Sequence, residues 1–378
     1  MYKLLRGGDY RGDEVRFPAR AKEGPNRLTP PVVVWHMTDL CNLRCRHCYA
    51  AGAKSPVMPY GEACSFLDKM AETNPPSILF SGGEPLARSD FFELLDYAST
   101  LPLRVSLSTN GTLIDASAAR FLKKKGVGYV GVSMDGPEAV HDAFRGVRGA
   151  FGKTLAGVRN LKKAGVRVGL RFTMVRPLLS HVPDVMKIAE EMEVDRICFY
   201  HFIASGRGRF ETDLPPARAE VRAELFRIFD WVDRGGKAPR EVLTVGNFSD
   251  GILLLLQLAK RGDRRAESAS NLLERSRGGR SGQGIVSVRW DGALFADQFS
   301  WNLPSLGHWS DIGKLPAEPP LADHRFKGRC GECGWLSLCR GNMRARAASS
   351  RGDLLDEDPG CVLLDEELDS DFLNGGLR

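Results

Sequence analysis

Short apolar runs alternate with amphipathic stretches of helical periodicity between residues 32 and 201. The extended runs predict six β-strands, at residues 32–37, 77–81, 104–108, 129–134, 167–173 and 196–201. The stretches between them predict helices, for example at residues 116–125, 152–164 and 182–191, each followed closely by a break. Strands that alternate with helices are typical of βα units, so the sequence predicts an α/β fold with a parallel sheet.

The pattern changes after residue 214. Residues 215–284 predict a mostly helical linker, whose polar stretch 261–280 is rich in arginine. Acidic residues interrupt its basic runs and no aromatic stacking pattern accompanies them, so we expect a solvated helical face and no nucleic-acid partner. Two extended runs, at residues 285–290 and 293–298, flank Asp291 and Gly292 and predict a hairpin.

Composition narrows the class of protein. The chain has 378 residues, of which 43% are hydrophobic and 26% charged, with a net charge of +6, values that exclude a disordered or fibrous protein. The longest aliphatic run, residues 252–256, is far shorter than the roughly 20 residues that cross a bilayer. Charged residues also occupy the N-terminus, where a secretory signal would be apolar. We therefore expect a cytoplasmic protein with no membrane partner.

Seven of the nine cysteines fall into two clusters, and these are the first candidates for chemistry. One cluster is Cys41, Cys45 and Cys48, and the other is Cys330, Cys333, Cys339 and Cys361. Cys64 and Cys198 stand alone and are expected to be ordinary buried residues. In a reducing cytosol, closely spaced thiols indicate metal ligands or redox pairs rather than disulfides, and thiolate-only sets suit zinc or iron-sulfur centres.

The first cluster has the spacing C-x3-C-x2-C and is followed by Tyr49. Three thiolates are one ligand short of closing a four-iron cluster, which favours an iron-sulfur centre with one iron open to an exchangeable ligand. A structural zinc site with His47 as its fourth ligand is the alternative, although the spacing differs from the paired knuckles of zinc modules.

Polar motifs follow three of the predicted strands, where active sites of parallel α/β folds gather. They are Ser81-Gly82-Gly83-Glu84-Pro85, Ser108-Thr109-Asn110-Gly111 and Ser133-Met134-Asp135-Gly136. Two glycines allow close backbone approach to a ligand, and a carboxylate accepts hydrogen bonds from an ammonium group. Arg207, beyond the sixth strand, is placed to hold a substrate carboxylate or to be a solvated loop residue. Each motif alone is also compatible with a turn or cap.

Together, the C-x3-C-x2-C loop and the Gly-Gly-Glu-Pro motif resemble the corresponding motifs of the radical S-adenosylmethionine (SAM) superfamily. The resemblance extends over nearly the whole chain. The resemblance implies a partial (β/α)6 barrel whose cluster-bound SAM is cleaved by electron transfer to a 5′-deoxyadenosyl radical. It implies a catalytic [4Fe-4S] cluster on Cys41, Cys45 and Cys48, and a reducing partner such as flavodoxin or ferredoxin. The residues it assigns to SAM are Tyr49, Gly82, Gly83, Glu84, Asn110, Ser133, Asp135 and Arg171.

The second cluster has the spacing C-x2-C-x5-C-x21-C, with Gly341 and Asn342 after its third cysteine. A structural zinc ribbon is one interpretation. The pattern also resembles the twitch or SPASM extension of radical SAM enzymes, which implies one auxiliary [4Fe-4S] cluster and two clusters in all. The expected divisions are an N-terminal extension (1–28), the barrel (29–214), the linker (215–284) and a twitch/SPASM-like domain (285–378).

Further segments resemble the haem d1 and alternative-haem biosynthesis subgroup, namely residues 31–35, 167–173, 199–207, 241–247, 297–299 and 358–361. This implies an anionic iron tetrapyrrole substrate and removal of two acetate side chains from didecarboxysirohaem to give iron-coproporphyrin. Alternatives are a propionate-modifying relative, a peptide maturase, and a non-catalytic electron carrier, which would not need an open iron. Residues 300–302 and 307–308 depart from the subgroup pattern, and His201, His308 and His324 are candidates to approach a substrate iron.

Overall fold

The computed structural model describes Leu5 and residues 30–51, 55–276, 278–279, 281–315 and 325–370. Its strands are β1 (Val32–His36), β2 (Ile78–Ser81), β3 (Val105–Thr109), β4 (Tyr129–Ser133), β5 (Val168–Met174), β6 (Arg196–His201), β7 (Glu241–Val245), β8 (Ile285–Val288), β9 (Ala293–Phe295) and β10 (Gly307–His308). The expected N-terminal extension, apart from Leu5, and His324 lie outside the described residues.

Helices connect most of the strands. They are α1 (Tyr60–Thr73), α2 (Phe91–Thr100), α3 (Ala116–Lys124), α4 (Glu138–Arg145), α5 (Ala150–Lys163), α6 (Val182–Glu191), α7 (Arg218–Arg234), α8 (Ser249–Lys260), α9 (Arg265–Ser276), α10 (Gly328–Gly331), α11 (Leu336–Cys339) and α12 (Arg344–Arg351). Short 3-10 turns lie at Pro85–Ala87, Arg176–His181, Gly206–Phe210, Ser300–Asn302, Trp309–Lys314 and Asp365–Glu367.

One sheet runs through the described part of the chain in the order β10-β9-β8-β1-β2-β3-β4-β5-β6-β7. Strands β1 to β7 are parallel to their neighbours, and β8 pairs in parallel with β1. Strands β9 and β10 are antiparallel. The α/β class and the six predicted strands are confirmed, with ends that differ from the prediction by at most one residue.

Four strands extend the sheet beyond the six predicted βα units, and two of them, β7 and β8, pair directly with strands of those units. Strand β7 lies within the segment expected to be a mostly helical linker, and it pairs with β6 along five residues. Strand β8 belongs to the predicted hairpin, whose partner β9 is antiparallel to it, yet its other edge pairs with β1. The proposed divisions at residues 214 and 284 remain predictions.

The two faces of β1 show how the sheet separates the core from the candidate site. Trp35 packs on the helix-covered face, where its ring centroid lies 4.9 Å from that of Phe66 on α1 and 5.1 Å from that of Phe80 on β2. His36 follows on the opposite face, because successive side chains of a strand alternate. The cysteine loop begins directly after this residue, so the first strand delivers it to the carboxyl edge of the sheet.

Candidate active site

The first cysteine cluster lies in the loop that follows β1. Cys41 is exposed, Cys45 is buried and Cys48 is partly buried. Desolvation of its sulfur, and then the charges of Cys45, Glu84 and Cys48, raise the pKa of Cys41 to about 11, against a hydrogen bond from the Leu43 amide. Burial also raises the pKa of Cys48, so the thiolates of Cys41 and Cys48 form readily only when a metal compensates their charge.

The donor set fits a polynuclear cluster with one open position. Among the described residues, no three His, Cys, Asp or Glu side chains surround a single metal-ion position. His47, the fourth ligand of the zinc alternative, instead stacks on Phe144 with ring centroids 4.9 Å apart. What the loop offers is three thiols, each able to bind a different iron of a four-iron cluster.

The Ser81 to Pro85 loop packs directly on the cysteine loop. The amide of Gly83 donates to the Thr38 carbonyl over 2.8 Å, and the amide of Glu84 donates to the Leu40 carbonyl over 2.7 Å. A Cβ on Gly83 would lie 2.2 Å from the Leu40 oxygen, and one on Gly82 would lie 2.7 Å from the Thr38 oxygen. The two glycines thus permit a close approach between two backbone segments.

Glu84 is fully buried, and its carboxylate turns toward the loop after β3. It accepts hydrogen bonds from the Thr109 hydroxyl over 2.7 Å and from the Asn110 amide over 2.7 Å. Burial raises the pKa of Glu84 to about 7, although these bonds and one from the Leu86 amide act in the opposite direction. The ionised carboxylate in this site therefore favours a cationic ligand such as an ammonium group.

The Asn110 side chain joins the same loops. Its amide nitrogen donates to Asn42 over 2.8 Å and lies 4.0 Å from the Cys41 sulfur. Its oxygen accepts from the amide and hydroxyl of Thr112 at 2.9 and 2.7 Å. Asn42, which the sequence did not single out, therefore fixes Asn110 beside the cysteine loop.

Arg171 lies midway along β5, beside the last residue of β4. It pairs in register with Ser133, and its guanidinium passes over Gly131, where a Cβ would collide with it, to donate to the Ser108 hydroxyl. Its Nε has no partner among the described residues. Tyr49, whose hydroxyl bonds to Ser81, has its pKa raised to about 12 by burial. Arg171, Ser133 and Tyr49 thus lie over the carboxyl edge of the sheet.

Asp135 and Arg207 both contact the cysteine loop or its supports. Asp135 is fully buried and forms an ion pair with Arg145 of α4, a residue that the sequence did not single out. Arg207 donates from Nη1 to the Cys45 carbonyl and from its amide to the Cys48 carbonyl, each over 2.8 Å. At Gly206, φ is +54° and a Cβ would lie 2.3 Å from the Tyr49 carbonyl oxygen. The loop after β6 therefore clamps the cysteine loop from the outside.

The four C-terminal cysteines line a single cavity. Cys330, Cys333, Cys339 and Cys361 share it with Ser249, Ile252, Arg329, Leu336, Asn342, Glu357, Asp358, Leu363 and Leu368. Burial, and then the charges of the other three thiolates, raise the pKa of Cys339 to about 12. The donor chemistry of this cavity is thiolate on several sides, which fits a cluster held by four cysteines.

Comparison with known proteins shows which family this chain belongs to. Residues 35–190 match the Radical SAM superfamily. The Fe-coproporphyrin III synthase of Methanosarcina barkeri is 39% identical over 97% of this chain and 98% of its own length. The chain belongs to the radical SAM superfamily. The pre-heme d1 synthase of Dinoroseobacter shibae is 36% identical over 89% of this chain and 87% of its own. Within the superfamily, the protein is a radical SAM enzyme of haem synthesis.

Solved structures agree on the fold. Radical SAM neighbours include anSMEcpe with bound AdoMet, at a TM-score of 0.67 and 24% identity, covering 88% of this chain and 94% of that one. Streptococcus suis SuiB bound to S-adenosylmethionine aligns with a TM-score of 0.70 and 17% identity, covering 89% and 79% of the two chains. As a radical SAM enzyme, the protein uses a [4Fe-4S] cluster and SAM; the residues assigned to SAM remain predictions.

Two of the candidate histidines are engaged elsewhere in this radical SAM chain. Both ring nitrogens of His201 are hydrogen-bonded, to Asp250 over 2.7 Å and to Asn247 over 3.3 Å. His308, which lies on β10 at the edge of the sheet, bonds to the Ser310 hydroxyl. His36, which the sequence did not single out, is fully buried with both ring nitrogens unpaired among the described residues.

No helix in the described ranges is long and apolar enough to cross a membrane.

Proposed function

We propose that the protein removes two acetate side chains from didecarboxysirohaem to give iron-coproporphyrin. The observation that carries the proposal is the 39% identity to an Fe-coproporphyrin III synthase along almost the full length of both chains. An alignment over 97% of this chain and 98% of the relative supports the proposal for the whole enzyme and not only for its radical SAM domain.

The chain's own residues would hold and orient the reactants. In the proposed site, Cys41, Cys45 and Cys48 bind the cluster, Glu84 accepts the SAM ammonium, and Asn110, Ser133 and Arg171 contact the rest of SAM. When bound, the cluster and SAM supply an electron and a carbon radical that takes a hydrogen atom from the substrate. The protein contributes binding, orientation and exclusion of water.

Aromatic rings near the carboxyl end of β1 support a flat substrate. The ring centroids of Tyr49 and Phe299 are 5.1 Å apart, and those of Trp301 and His36 are 4.6 Å apart. Burial lowers the pKa of His36 to about 3, so this imidazole is neutral. A macrocycle presents the π faces and edges that such rings contact favourably, and its carboxylates suit arginine.

The auxiliary [4Fe-4S] cluster is proposed on Cys330, Cys333, Cys339 and Cys361. Four thiolates leave no iron of that cluster open, so it would carry electrons and would not bind substrate through iron. This favours a role in electron transfer over direct binding of the substrate to an iron of the cluster.

The test is conversion of the named substrate. Anaerobically reconstituted and reduced protein is incubated with SAM and didecarboxysirohaem, and the tetrapyrrole is followed by mass spectrometry for the loss of acetate groups. A Cys41→Ala variant serves as the inactive control. Release of 5′-deoxyadenosine without any change in the tetrapyrrole would contradict the proposal.

A propionate-modifying activity is the second candidate, because the pre-heme d1 synthase is 36% identical over 89% of this chain. Both reactions start from related anionic tetrapyrroles, so one assay separates them. A product that has lost mass from its propionate side chains and still carries its acetate side chains would favour the second activity.

A further inference from the structure

The guanidinium of Arg145 connects a buried carboxylate to a sulfur of the cysteine loop. Its Nε donates to Asp135 Oδ2 over 2.5 Å, and its Nη1 donates to Cys45 Sγ over 3.4 Å. The side chains of Arg145 and Asp135 are 8% and 0% exposed. Charges held this far from water are weakly screened, so both act strongly on the adjacent sulfur.

Backbone contacts fix the distance between Arg145 and Cys45. The last turn of α4 runs beside the cysteine loop, where the Arg44 amide donates to the Arg145 carbonyl over 2.9 Å and the Arg46 amide donates to the Phe144 carbonyl over 3.2 Å. Gly146 ends the helix with φ of +70°. Backbone hydrogen bonds on both sides of Cys45, at Arg44 and Arg46, therefore hold Arg145 beside it.

The histidines near this pair do not share its charge. The His47 ring stacks on Phe144 and makes no ion pair with Asp135, and burial, followed by the charge of Arg145, lowers the pKa of His141 to about 4. The Asp135 amide donates to His141 Nδ1 over 3.2 Å, which holds that ring in place. Arg145 is thus the charged partner of Asp135.

We propose that Arg145 and Asp135 set the reduction potential of the cluster on Cys41, Cys45 and Cys48. A hydrogen bond and a positive charge at a ligating sulfur favour the reduced cluster, because reduction adds an electron there. Arg145 therefore raises the potential, while the negative charge of Asp135 limits the rise and orients the guanidinium. In this role Asp135 is a positioning residue that acts through Arg145, in place of the direct SAM contact that the resemblance implies.

The test is a redox titration of the reconstituted full chain, followed by electron paramagnetic resonance without substrate. The signal that changes on addition of SAM identifies the cluster of the cysteine loop. Arg145→Gln is expected to lower its midpoint potential and Asp135→Asn to raise it, with Arg145→Lys between Arg145→Gln and the unaltered protein. Arg44→Gln is the matched control, because it removes an exposed charge from the same loop and should shift the potential much less.

Shifts of the same sign in Arg145→Gln and Asp135→Asn, or shifts no larger than that of Arg44→Gln, would overturn the proposal. The double variant Asp135→Asn/Arg145→Gln removes both charges of this buried pair and covers the case in which a single variant fails to fold. Its potential is expected below that of the unaltered protein, and an unchanged value also counts against the proposal. Since no tetrapyrrole is present, failure of the proposed substrate would leave this result intact.

Discussion

Glu84 shows at the scale of one residue how the site is prepared for a cation. Its carboxylate is fully buried and accepts hydrogen bonds from Leu86, Thr109 and Asn110. A carboxylate has about four lone-pair positions, so these three bonds leave room for a further donor. The backbone thus orients the group without using up its capacity to bind an ammonium.

Replacing Glu84 with Gln removes the negative charge and nearly preserves the shape. We expect SAM to bind about 10- to 100-fold more weakly, because hydrogen bonds to charged groups contribute about 1.5–3 kcal/mol. Calorimetric titration of SAM into the reconstituted protein measures the loss. Glu62→Gln on α1, whose carboxylate contacts Trp309 and His308, is the control, and an equal effect there would refute the assignment.

The raised pKa of Glu84 predicts a pH dependence. Its folded-state pKa of about 7 lies above its ordinary value of 4.5, so the SAM-free protein keeps a proton that the unfolded chain releases. The associated stability is present below about pH 4.5 and is lost as the pH rises through about 7. The ionised form binds SAM, so the affinity ratio of the unaltered protein to Glu84→Gln should rise about tenfold from pH 6 to 8. A constant ratio would contradict the pKa.

Gly83 gives a steric prediction. In Gly83→Ala the new Cβ would lie 2.2 Å from the Leu40 oxygen, so the two loops must separate. We expect a destabilisation of about 1–3 kcal/mol together with reduced iron loading, measured by thermal unfolding and iron analysis. Gly61→Ala is the matched control, because nothing lies within 4 Å of its Cβ and alanine favours the helix. Equal iron loss in both variants would count against the steric account.

At this scale the sequence located the cysteines and strand-end motifs but not their supports. Cys41 and Glu84 can be identified in the sequence because their chemistry requires a particular residue type at a particular spacing. Arg145 gives a weaker signal: it lies with His141 and Phe144 on the buried face of α4, where a charged residue requires a partner. The partner cannot be chosen from the sequence, because Asp135 and Cys45 reach Arg145 only through the packing of α4 against the loop.

At the scale of elements, polar side chains join the end of β7 to the segment that carries the C-terminal cysteines. Asn247 donates to the Gly360 carbonyl over 2.7 Å and accepts from Asn342 over 2.6 Å. Arg346 of α12 donates to the Gly246 carbonyl over 3.0 Å and forms an ion pair with Asp358. Buried networks of this kind hold their members in one arrangement, since an unpaired member is costly.

Breaking the Arg346 pair should therefore destabilise the protein strongly. Arg346→Met leaves the fully buried Asp358 side chain without its cation, which costs about 3–5 kcal/mol. Arg351→Met on the same helix breaks a pair with Glu357 whose arginine is 47% exposed, and should cost about 0–1 kcal/mol. Urea denaturation of both reconstituted variants measures the difference, and similar costs would show that the buried pair is not structural.

Periodicity predicted the βα elements well because their strands are buried and regular. Strand β7 escaped prediction since four of its five residues are only partly buried, which weakens the apolar pattern. The contact of β8 with β1 escaped for a different reason. Parallel pairing between segments about 250 residues apart leaves no local mark, whereas a hairpin is marked by its turn residues.

For the whole molecule, the two cysteine clusters predict the iron content. We expect about eight irons per chain after anaerobic reconstitution, as for two four-iron clusters. Replacing Cys41, Cys45 and Cys48 together with Ala should leave about four irons and abolish SAM cleavage. Replacing the four C-terminal cysteines should also leave about four.

Cys64→Ala serves as the control for the iron counts, because this cysteine lies in α1 and outside both clusters. Its iron content should match that of the unaltered protein. Zinc in place of iron at the C-terminal cysteines, or continued SAM cleavage without the first three, would contradict the assignment.

The parallel pairing of β8 with β1 also bears on how the protein is made. A ribosome releases the chain from its N-terminus, so β1 and its cysteine loop emerge long before residues 285–288, which complete its second edge. Until then β1 presents unpaired backbone groups, the kind of edge that recruits other strands. Delivery of iron and sulfide to the nascent loop would thus meet an unfinished sheet, and timing between synthesis and cluster insertion becomes part of the biogenesis of this enzyme.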